Sequence, residues 1–373
     1  MKKVIVAGHI CIDITPMFDC GEVRDIADIL QPGKLIQMKN VDVHTGGAVA
    51  NTGLAMKILG AEVSLMGKLG DDEFGNMIRN ILDDYHASEN MIIASGESTS
   101  YSVVLAIPGI DRIFLHNPGA NDSFSADDVS DEDLDGVSLF HFGYPSLMKN
   151  MYVNDGAELT KLFKKVKDKG VTTSLDMAAV DPNTPAGRAD WDTILKSVLP
   201  YVDFFVPSVE ELCFMLDRER LSEWQLRDNH GDITSCLRPE EDIKPLADKC
   251  LEYGAKVVLI KSGAPGIYYA TADTDSLKMI EEDLGIDASQ WANRIGFERS
   301  YKPRKVVSGT GAGDTSIAAF LCSVLQGESI DECLRMAVAT GTSCVEAIDA
   351  LSGLSSLEEL KQRIKTGWDK IGD

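Results

Sequence analysis

The chain has 373 residues, of which 44% are hydrophobic and 25% are charged, and its formal net charge is −23. This is the composition of a globular protein, and the length allows one large domain or two ordinary ones. So acidic a chain argues against a protein that works by binding nucleic acid or an anionic membrane surface.

Short apolar runs alternate with amphipathic stretches over most of the chain. The stretches predicted to be helical include Asn51–Leu59, Asp72–Tyr85 and Ala157–Lys169. Buried strands separated by helices indicate parallel βαβ units with helices on both faces of one sheet. The sequence therefore predicts an α/β fold with a mostly parallel central sheet. The runs predicted as buried strands are VIVAG (Val4–Gly8), VSLMG (Val63–Gly67), SLFHFG (Ser138–Gly143), VTTSLD (Val171–Asp176), DFFVP (Asp203–Pro207) and VVLIKSG (Val257–Gly263).

Two segments depart from this alternation. Lys34–Thr45 alternates partly between apolar and polar residues, and Thr99–Asn117 is predicted as two strands around a Pro-Gly turn at 108–109. Together they predict a small antiparallel sheet beside the main one, which would serve as a lid or as a dimer surface. The polar stretches 216–242 and 272–300 are predicted to be surface insertions.

The cysteines and the N-terminal residues bear on the compartment. The eight cysteines show no C-x-x-C pair and no metal-type spacing with histidine, and several lie in apolar stretches, which favours buried, reduced thiols. The first apolar run is interrupted by Asp13 and is followed by neither a cleavage-site pattern nor a stop-transfer segment. No stretch reaches the roughly 18 apolar residues of a transmembrane helix. These features predict a cytoplasmic protein.

The stretch VVSGTGAGDTS (Val306–Ser316) places three glycines and an acid before a predicted helix at Thr315–Leu325. Glycines at this point let backbone N–H groups converge on an anion, and the helix dipole adds about half a positive charge. Asp314 is then either the N-cap of the helix or, if phosphate binds in the cradle, a base that accepts a proton from an attacking hydroxyl. The Walker A and G-x-G-x-x-G patterns are both absent from this stretch.

A second glycine cluster lies in HTGGAVANTGLAMKILGA (His44–Ala61), where Gly46 and Gly47 open a helix rich in small residues. One interpretation is close packing of this helix on the sheet. The other is a ligand site, in which the two glycines let a polar ligand approach the backbone and Asn51 offers a donor and an acceptor to hydroxyl groups.

These motifs resemble the signatures of a known family. TGGAVANTGLAMKILGA followed by MGKLGDDEFG (Met66–Gly75) resembles the N-terminal signature of the ribokinase family, the phosphofructokinase-B type carbohydrate kinases, and GTGAGDTS resembles its C-terminal signature. The resemblance extends over nearly the whole chain. Further matching segments are GHICID (Gly8–Asp13) in the first strand, NPGAN (Asn117–Asn121) after the lid and KSGAPG (Lys261–Gly266) near the nucleotide.

The resemblance implies a ribokinase-like three-layer α/β/α sandwich with a small β-sheet lid. The chain would form a single domain over 1–373, with the lid coming from residues 10–45 and 97–120. Its activity would be transfer of the γ-phosphate of ATP, with Mg²⁺ bridging the phosphates, to a hydroxyl group of a small sugar or sugar-like alcohol.

The resemblance also implies roles for individual residues. Asp314 would be the catalytic base, and Glu211, at the end of SVEE, would organise the metal. The backbone amides of the anion hole would be those of Gly311, Ala312 and Gly313. The substrate-binding residues would be Asp13, Gly46, Gly47 and Asn51. The nucleotide-binding residues would be Lys261, Gly263, Gly266, Gly311 and Gly313.

Three positions depart from the family pattern or fit it incompletely. Ser308-Gly309 stands where members usually have Asp-Thr, in a region that helps to hold a monovalent cation, so activation by K⁺ is left open. Ser208 replaces the usual Asn of Asn-x-x-Glu, so Glu211 is alternatively an ordinary acid at a helix start. Asp176, at a strand end where open α/β sheets bind ligands, is explained equally well by a structural role.

The sugar kinase has two alternatives at this point. One is a nucleoside kinase, in which aromatic residues of the lid would stack on the base; the residues interpreted in this way are Tyr101, Phe114 and Tyr144. The other is a non-catalytic relative that binds sugar and nucleotide. His9 and His44 flank the expected substrate pocket, either as ligands of hydroxyl groups or as satisfied structural histidines. The expected partners are a small-molecule substrate and ATP, with a homodimer through the lid as a further expectation.

Overall fold

An eight-stranded sheet forms the centre of the chain, and a four-stranded sheet lies beside it. The computed structural model describes residues 2–110, 112–228 and 232–372, so one residue of the predicted lid, three of the first predicted insertion and both ends of the predicted domain lie outside the described residues. The strands are β1 (Lys3–Gly8), β2 (Cys11–Phe18), β3 (Met38–Gly46), β4 (Glu62–Met66), β5 (Lys68–Gly70), β6 (Ile92–Ala94), β7 (Tyr101–Leu105), β8 (Ile113–Asn117), β9 (Val137–Gly143), β10 (Thr172–Asp176), β11 (Phe204–Phe205), β12 (Val257–Lys261), β13 (Gly266–Thr271) and β14 (Ile295–Arg299). The helices are α1 (Ala48–Ile58), α2 (Glu73–Asp83), α3 (Lys149–Tyr152), α4 (Ala157–Asp168), α5 (Trp191–Val198), α6 (Val209–Leu216), α7 (Arg218–Arg227), α8 (Lys244–Glu252), α9 (Thr274–Leu284), α10 (Ala288–Trp291), α11 (Ala312–Leu325), α12 (Ile330–Cys344) and α13 (Leu357–Lys365).

The large sheet confirms the predicted α/β fold. Its strand order is β14-β13-β12-β11-β10-β9-β1-β4, and every neighbouring pair from β12 to β4 is parallel. β13 and β14 join antiparallel at one edge. The runs predicted as buried strands are the parallel strands of this sheet. Because parallel strands point the same way, their carboxyl ends lie at one edge of the sheet, where open α/β sheets bind ligands.

Helices cover both faces of the large sheet. Val4 and Val6 of β1 pack with α1, α11 and α12 on one face, whereas Ile5 packs with α4 and α5 on the other. This follows from the alternation of side chains along a strand. A Cβ on Gly53 of α1 would lie 2.2 Å from Leu65 Cδ2, so this small residue serves close packing of the helix on the sheet. The result is a three-layer α/β/α sandwich.

The smaller sheet has the strand order β3-β2-β7-β8 and forms the lid. β2 pairs antiparallel with β3 and parallel with β7, and β7 pairs antiparallel with β8. Arg112 immediately precedes β8, and its guanidinium donates a hydrogen bond to the hydroxyl of Thr310 in the glycine-rich loop. The lid therefore contacts the loop that leads into α11.

The two polar stretches predicted as insertions contain regular elements. The first, 216–242, includes α7, and its Trp224 is fully buried. The second, 272–300, forms α9, α10 and the edge strand β14. Within the described part of the chain, no helix combines the length and the apolar character needed to traverse a bilayer. All eight cysteines are free, and six of them are buried, as expected for reduced thiols.

Candidate active site

The glycine-rich loop ends at α11, and Asp314 lies in the first turn of this helix. Gly311 is the N-cap residue, with a φ of 74°. A Cβ at Gly311 would lie 2.2 Å from the Cβ of Ala350, so both the backbone conformation and the packing require glycine. The interpretation of Asp314 as the N-cap is therefore wrong. Its side chain is 5% exposed and makes other contacts.

Three side chains donate hydrogen bonds to the Asp314 carboxylate. The Tyr144 hydroxyl donates to Oδ1 over 2.6 Å, and the Thr52 hydroxyl donates to the same oxygen over 3.4 Å. Asn51 Nδ2 donates to Oδ2 over 2.9 Å. Asn51 and Thr52 belong to α1, so the two glycine motifs of the sequence meet at this carboxylate. Hydrogen bonds to both of its oxygens fix the orientation of this carboxylate, which suits it to accept a proton from a substrate hydroxyl.

Tyr144 follows β9 and lies outside the lid, in contrast to its interpretation as a lid aromatic. Its φ of 67° is in the left-handed region, which strains a bulky residue. Burial raises the pKa of Tyr144 far above its ordinary value, and the charge of Asp314 raises it further, so the phenol stays protonated and donates. Tyr101 packs on Phe74, with 5.6 Å between ring centroids, and Phe114 is 56% exposed. The three aromatic residues thus do not share one stacking surface.

The residues predicted to bind substrate cluster at the start of α1. A Cβ on Gly46 would lie 2.2 Å from Asp13 Oδ2, so glycine makes room for this carboxylate. Gly47 has a φ of 87°, and a Cβ there would lie 2.6 Å from His9 Nδ1. Through α1, this cluster adjoins the side chains that hold Asp314.

A buried ion pair lies beside the glycine loop. Lys261 ends β12, and its Nζ lies 2.6 and 2.8 Å from Oδ1 and Oδ2 of Asp176, which ends β10. The Asp176 side chain is fully buried and that of Lys261 is 13% exposed. A Cβ on Gly313 would lie 3.7 Å from Lys261 Nζ, so the ammonium group adjoins the predicted anion hole. An anion in the cradle would therefore meet a positive charge, although the protein as a whole is acidic.

Three carboxylates share this one ammonium group. The pKa of Asp176 is raised to about 7, chiefly by burial. The charges of Glu211 and Asp314 also raise it, whereas the neighbouring Lys261 ammonium group lowers it. Burial also raises the pKa of Glu211. For Lys261, burial by itself would lower the pKa, but attraction to the three carboxylates raises it above its ordinary value. Lys261 thus stays charged, and the cluster has an excess of negative charge that a divalent cation would relieve.

Glu211 lies in the first turn of α6. Its Oε2 accepts a hydrogen bond from the backbone N–H of Ser208 over 2.8 Å, and the Ser208 hydroxyl accepts one from the N–H of Glu211 over 3.4 Å. This reciprocal capping box shows how serine at this position still begins the helix. Among the residues that the structure describes, no three His, Cys, Asp or Glu side chains are grouped as a metal site. Glu211 therefore needs further ligands, such as phosphate oxygens and water, to hold an ion.

A cavity of about 330 Å³ lies beside Lys261 and the glycine loop. Ile371, near the end of the chain, also lines it, and the Ile371 backbone N–H donates to the carbonyl of Ser300 over 2.9 Å. The C-terminal segment thus forms one wall of the cavity. Its volume is at the lower end of the range for small-molecule sites. The residues predicted to bind nucleotide that line the cavity are Lys261, Gly263, Gly266 and Gly313, whereas Gly311 caps the adjoining helix.

Comparison with known proteins agrees with this geometry. Residues 1–356 match the family model for pfkB family carbohydrate kinases. The chain belongs to this family. Membership in the pfkB family confirms that the protein is a carbohydrate kinase, an enzyme that transfers phosphate to an alcohol group.

Similar members of the pfkB family bear names that refer to different sugars. A ribokinase from Arabidopsis thaliana is 26% identical over 344 residues, which are 91% of this chain and 77% of the relative. A 5-dehydro-2-deoxygluconokinase from Clostridium beijerinckii is 23% identical over 374 residues, 99% of this chain and 95% of the relative. The structure of Arabidopsis thaliana ribokinase complexed with ribose and ATP has a TM-score of 0.70 at 23% identity, over 98% of this chain and 99% of that one. This likeness confirms the predicted ribokinase-like fold.

Two features of this protein's site were not predicted from the sequence. These are the hydrogen bond from Tyr144 to Asp314 and the pairing of Lys261 with Asp176. The sequence could have indicated them by the places of these residues at the ends of predicted strands, because Tyr144 follows one predicted strand and Asp176 ends the next. Side chains at the carboxyl ends of adjacent parallel strands meet at one edge of the sheet.

Proposed function

We propose that the protein transfers the γ-phosphate of ATP to a hydroxyl group of a small sugar or sugar-like alcohol. Asp314 is the base in this proposal, and the backbone N–H groups of Gly311, Ala312 and Gly313 form the anion hole. The observation that carries the proposal is the position of Asp314. Its buried carboxylate lies in the first turn of α11, directly after the glycine loop, and is oriented by neutral donors.

In the proposed reaction, the acceptor hydroxyl gives its proton to an oxygen of Asp314 as its own oxygen attacks the γ-phosphorus. The bond between that phosphorus and the bridging oxygen of the β-phosphate breaks, and ADP leaves. The backbone N–H groups of the loop and the Lys261 ammonium would stabilise the charge on the transferring group. Such positioning and charge stabilisation account for most of the catalysis of phosphoryl transfer.

The cavity beside Lys261 is the proposed ATP site, because it combines an apolar lining with the ammonium group and the glycine loop. The excess of negative charge around Lys261 fits Mg²⁺, which proteins commonly hold by one or two carboxylates together with substrate phosphates. Glu211 would hold it here, and the ion would neutralise phosphate charge when bound. Activation by K⁺ stays open, since serine and glycine stand at 308 and 309.

The experiment that tests the proposed function measures ADP formation from ATP and Mg²⁺ by the purified protein, with and without K⁺. The acceptors are d-ribose, d-fructose, a linear polyol, 5-dehydro-2-deoxygluconate, fructose 6-phosphate and adenosine. We expect ADP formation that depends on an unphosphorylated sugar or polyol. Adenosine as the sole acceptor would favour a nucleoside kinase, and binding of sugar and ATP without ADP formation would favour a non-catalytic relative.

Two carboxylate-to-amide variants isolate the base. Asp314→Asn should lower kcat by about 10²–10⁴-fold, the range for general acid–base catalysis, and leave acceptor binding largely intact. Asp273→Asn is the matched control, because Asp273 caps α9 by accepting from Ser276 N over 2.8 Å and asparagine caps helices equally well. Equal turnover by Asp314→Asn and the wild type would contradict the role of Asp314 as the base.

A homodimer through the lid is a further proposal, supported by apolar side chains on its outer strands. Val41 of β3 and Phe114 and Leu115 of β8 are each more than half exposed. Light scattering of the purified protein tests this. A dimer mass that falls to a monomer mass in Phe114→Ser/Leu115→Ser would support it, and a monomeric wild type would contradict it.

A further inference from the structure

His9 follows β1 and is buried against Gly47, one of the residues predicted to bind substrate. These residues, Asp13, Gly46, Gly47 and Asn51, are the proposed acceptor site. His9 is 2% exposed, and both of its ring nitrogens are buried without a hydrogen-bond partner among the described residues. Burial lowers the pKa of His9 to about 3, and the neighbouring His116 adds to this effect, so the imidazole is neutral at pH 7. Nearly all buried polar groups in folded proteins are paired, so two unpaired nitrogens on one ring call for an explanation.

The neighbours of the His9 ring belong to the proposed acceptor site. Nδ1 lies against the α-carbon of Gly47, where a Cβ would come within 2.6 Å of it. The ring centroid lies 6.2 Å from that of Tyr144, whose hydroxyl donates to Asp314. On the lid side, the His116 ring lies 5.2 Å away. His9 thus stands between the lid and the proposed base.

The charges around His9 indicate the chemistry of its missing partner. The nearby substrate-site groups are Gly47 and the neutral phenol of Tyr144, and the carboxylate of Asp13 lies against the adjoining Gly46. The Nδ1 atom of His116 is already within 3.0 Å of the Ser102 hydroxyl. A neutral imidazole offers one N–H donor and one acceptor nitrogen, and a hydroxyl group can pair with either. A carboxylate bound here would be repelled by Asp13, whose charge acts on the adjacent ring of His116.

We propose that His9 binds a hydroxyl group of the acceptor, other than the one that is phosphorylated, and so selects an acceptor that is uncharged at this end. The inference rests on the proposed function and adds a specificity-determining residue to it. The alternative role, a satisfied structural histidine, does not agree with two buried and unpaired ring nitrogens.

The test uses the unphosphorylated sugar or polyol of the acceptor panel that the wild type phosphorylates with the highest kcat/KM, and the monodeoxy analogues of that acceptor. His9→Phe keeps a ring and removes both nitrogens, whereas His9→Asn keeps a donor and an acceptor. We expect His9→Phe to weaken sugar binding, measured by calorimetry with a non-hydrolysable ATP analogue, by about tenfold or more. His9→Asn should weaken it less, and the KM for ATP should stay within about twofold in both variants.

The monodeoxy analogues locate the contact. One analogue should be a poorer acceptor than the parent compound for the wild type but not for His9→Phe. The hydroxyl that this analogue lacks is the one that would bond to the imidazole, so removing the imidazole costs it nothing more. His116→Phe is the matched control: it makes the same change in the neighbouring ring, whose Nδ1 already has a partner, and should leave this discrimination unchanged.

The outcomes separate the inference from the proposed function. An unchanged sugar affinity in a folded, active His9→Phe would overturn the role of His9 and leave the kinase assignment standing. The same loss of discrimination in His116→Phe would also overturn it. No ADP formation by the wild type with any unphosphorylated sugar or polyol of the acceptor panel would contradict the proposed function itself. If His9→Phe does not fold, as judged by thermal unfolding, His9→Asn decides: a weaker sugar affinity together with a smaller penalty for that analogue supports the contact, and affinity and discrimination equal to those of the wild type overturn it.

Discussion

Replacing Lys261 by methionine would remove the ammonium group from a buried ion pair and keep most of the side chain's length. In the wild type this group lies 2.6 and 2.8 Å from the two oxygens of Asp176, whose side chain is fully buried. Removing one partner of a buried pair costs about 3–5 kcal/mol, because the other charge is left without compensation. We expect the free energy of unfolding of Lys261→Met to fall by this amount at pH 8.

The loss should depend on pH and should be reversible by a second substitution. Burial raises the pKa of Asp176 to about 7 even with Lys261 present, so in Lys261→Met a proton can neutralise the carboxyl group. Because the folded-state pKa lies above the unfolded value, stability is retained at low pH and lost as the pH rises through the folded-state pKa. Asp176→Asn/Lys261→Met has neither charge and should recover most of the loss at pH 8.

The double variant also separates stability from activity. Lys261 Nζ lies near Gly313, so its removal takes positive charge away from the proposed phosphate site. ADP formation should therefore fall by about 10²-fold or more in a protein that is folded. The assays are urea unfolding followed by tryptophan fluorescence, and ADP release at saturating and limiting ATP.

The chain offers a matched control in the pair of Lys167 and Asp203. Their distance is 2.7 Å, with the lysine side chain 13% and the aspartate 4% exposed, and neither residue lines the cavity. Lys167→Met should lose stability in a similar way, and Asp203→Asn/Lys167→Met should keep its activity. Wild-type activity in Asp176→Asn/Lys261→Met, or unchanged stability in Lys261→Met, would refute the reasoning.

Three further predictions concern the loop, the buried histidines and the cavity wall. Gly311→Ala should lower the melting temperature and lower ADP formation by about 10²-fold. The new Cβ would lie 2.2 Å from the Cβ of Ala350, and the backbone at 311 is left-handed. Near-normal activity would contradict this. Burial lowers the pKa of both His9 and His141 to about 3, so only the unfolded chain binds these protons below about pH 6.5, and stability should fall as the pH falls, by about 1.4 kcal/mol per pH unit for each histidine. Urea unfolding of the wild type and of His141→Phe between pH 7 and 5 measures the contribution of His141 as the difference between the two slopes, in which the opposite contributions of Asp176 and Glu211 cancel; equal slopes would contradict it. Ile371→Glu should raise the KM for ATP by about tenfold and leave that for sugar unchanged, since it puts a charge on the cavity wall; equal changes in both would refute a role confined to the nucleotide side.

The sequence by itself determined the local elements of this protein. Short continuous apolar runs identified the parallel strands of the large sheet, because a strand that is buried on both faces needs apolar residues at every position. The glycines at 311 and 313, followed by an acid, marked the start of α11 as a cradle, because that signal is contained within a few neighbouring residues. The turn at 108–109 likewise marked the lid hairpin between β7 and β8.

Only the tertiary structure decided which side chains meet. Asp314 receives its hydrogen bonds from Asn51, 263 residues away, and from Tyr144, 170 residues away, and Lys261 pairs with an acid 85 residues earlier. These contacts depend on the strand order and on the packing of α1 beside α11, which local periodicity does not encode. The tertiary structure also decided that the ring nitrogens of His9 have no hydrogen-bond partner among the described residues. Whether a buried nitrogen is paired depends on all the residues around it, which come from distant parts of the chain.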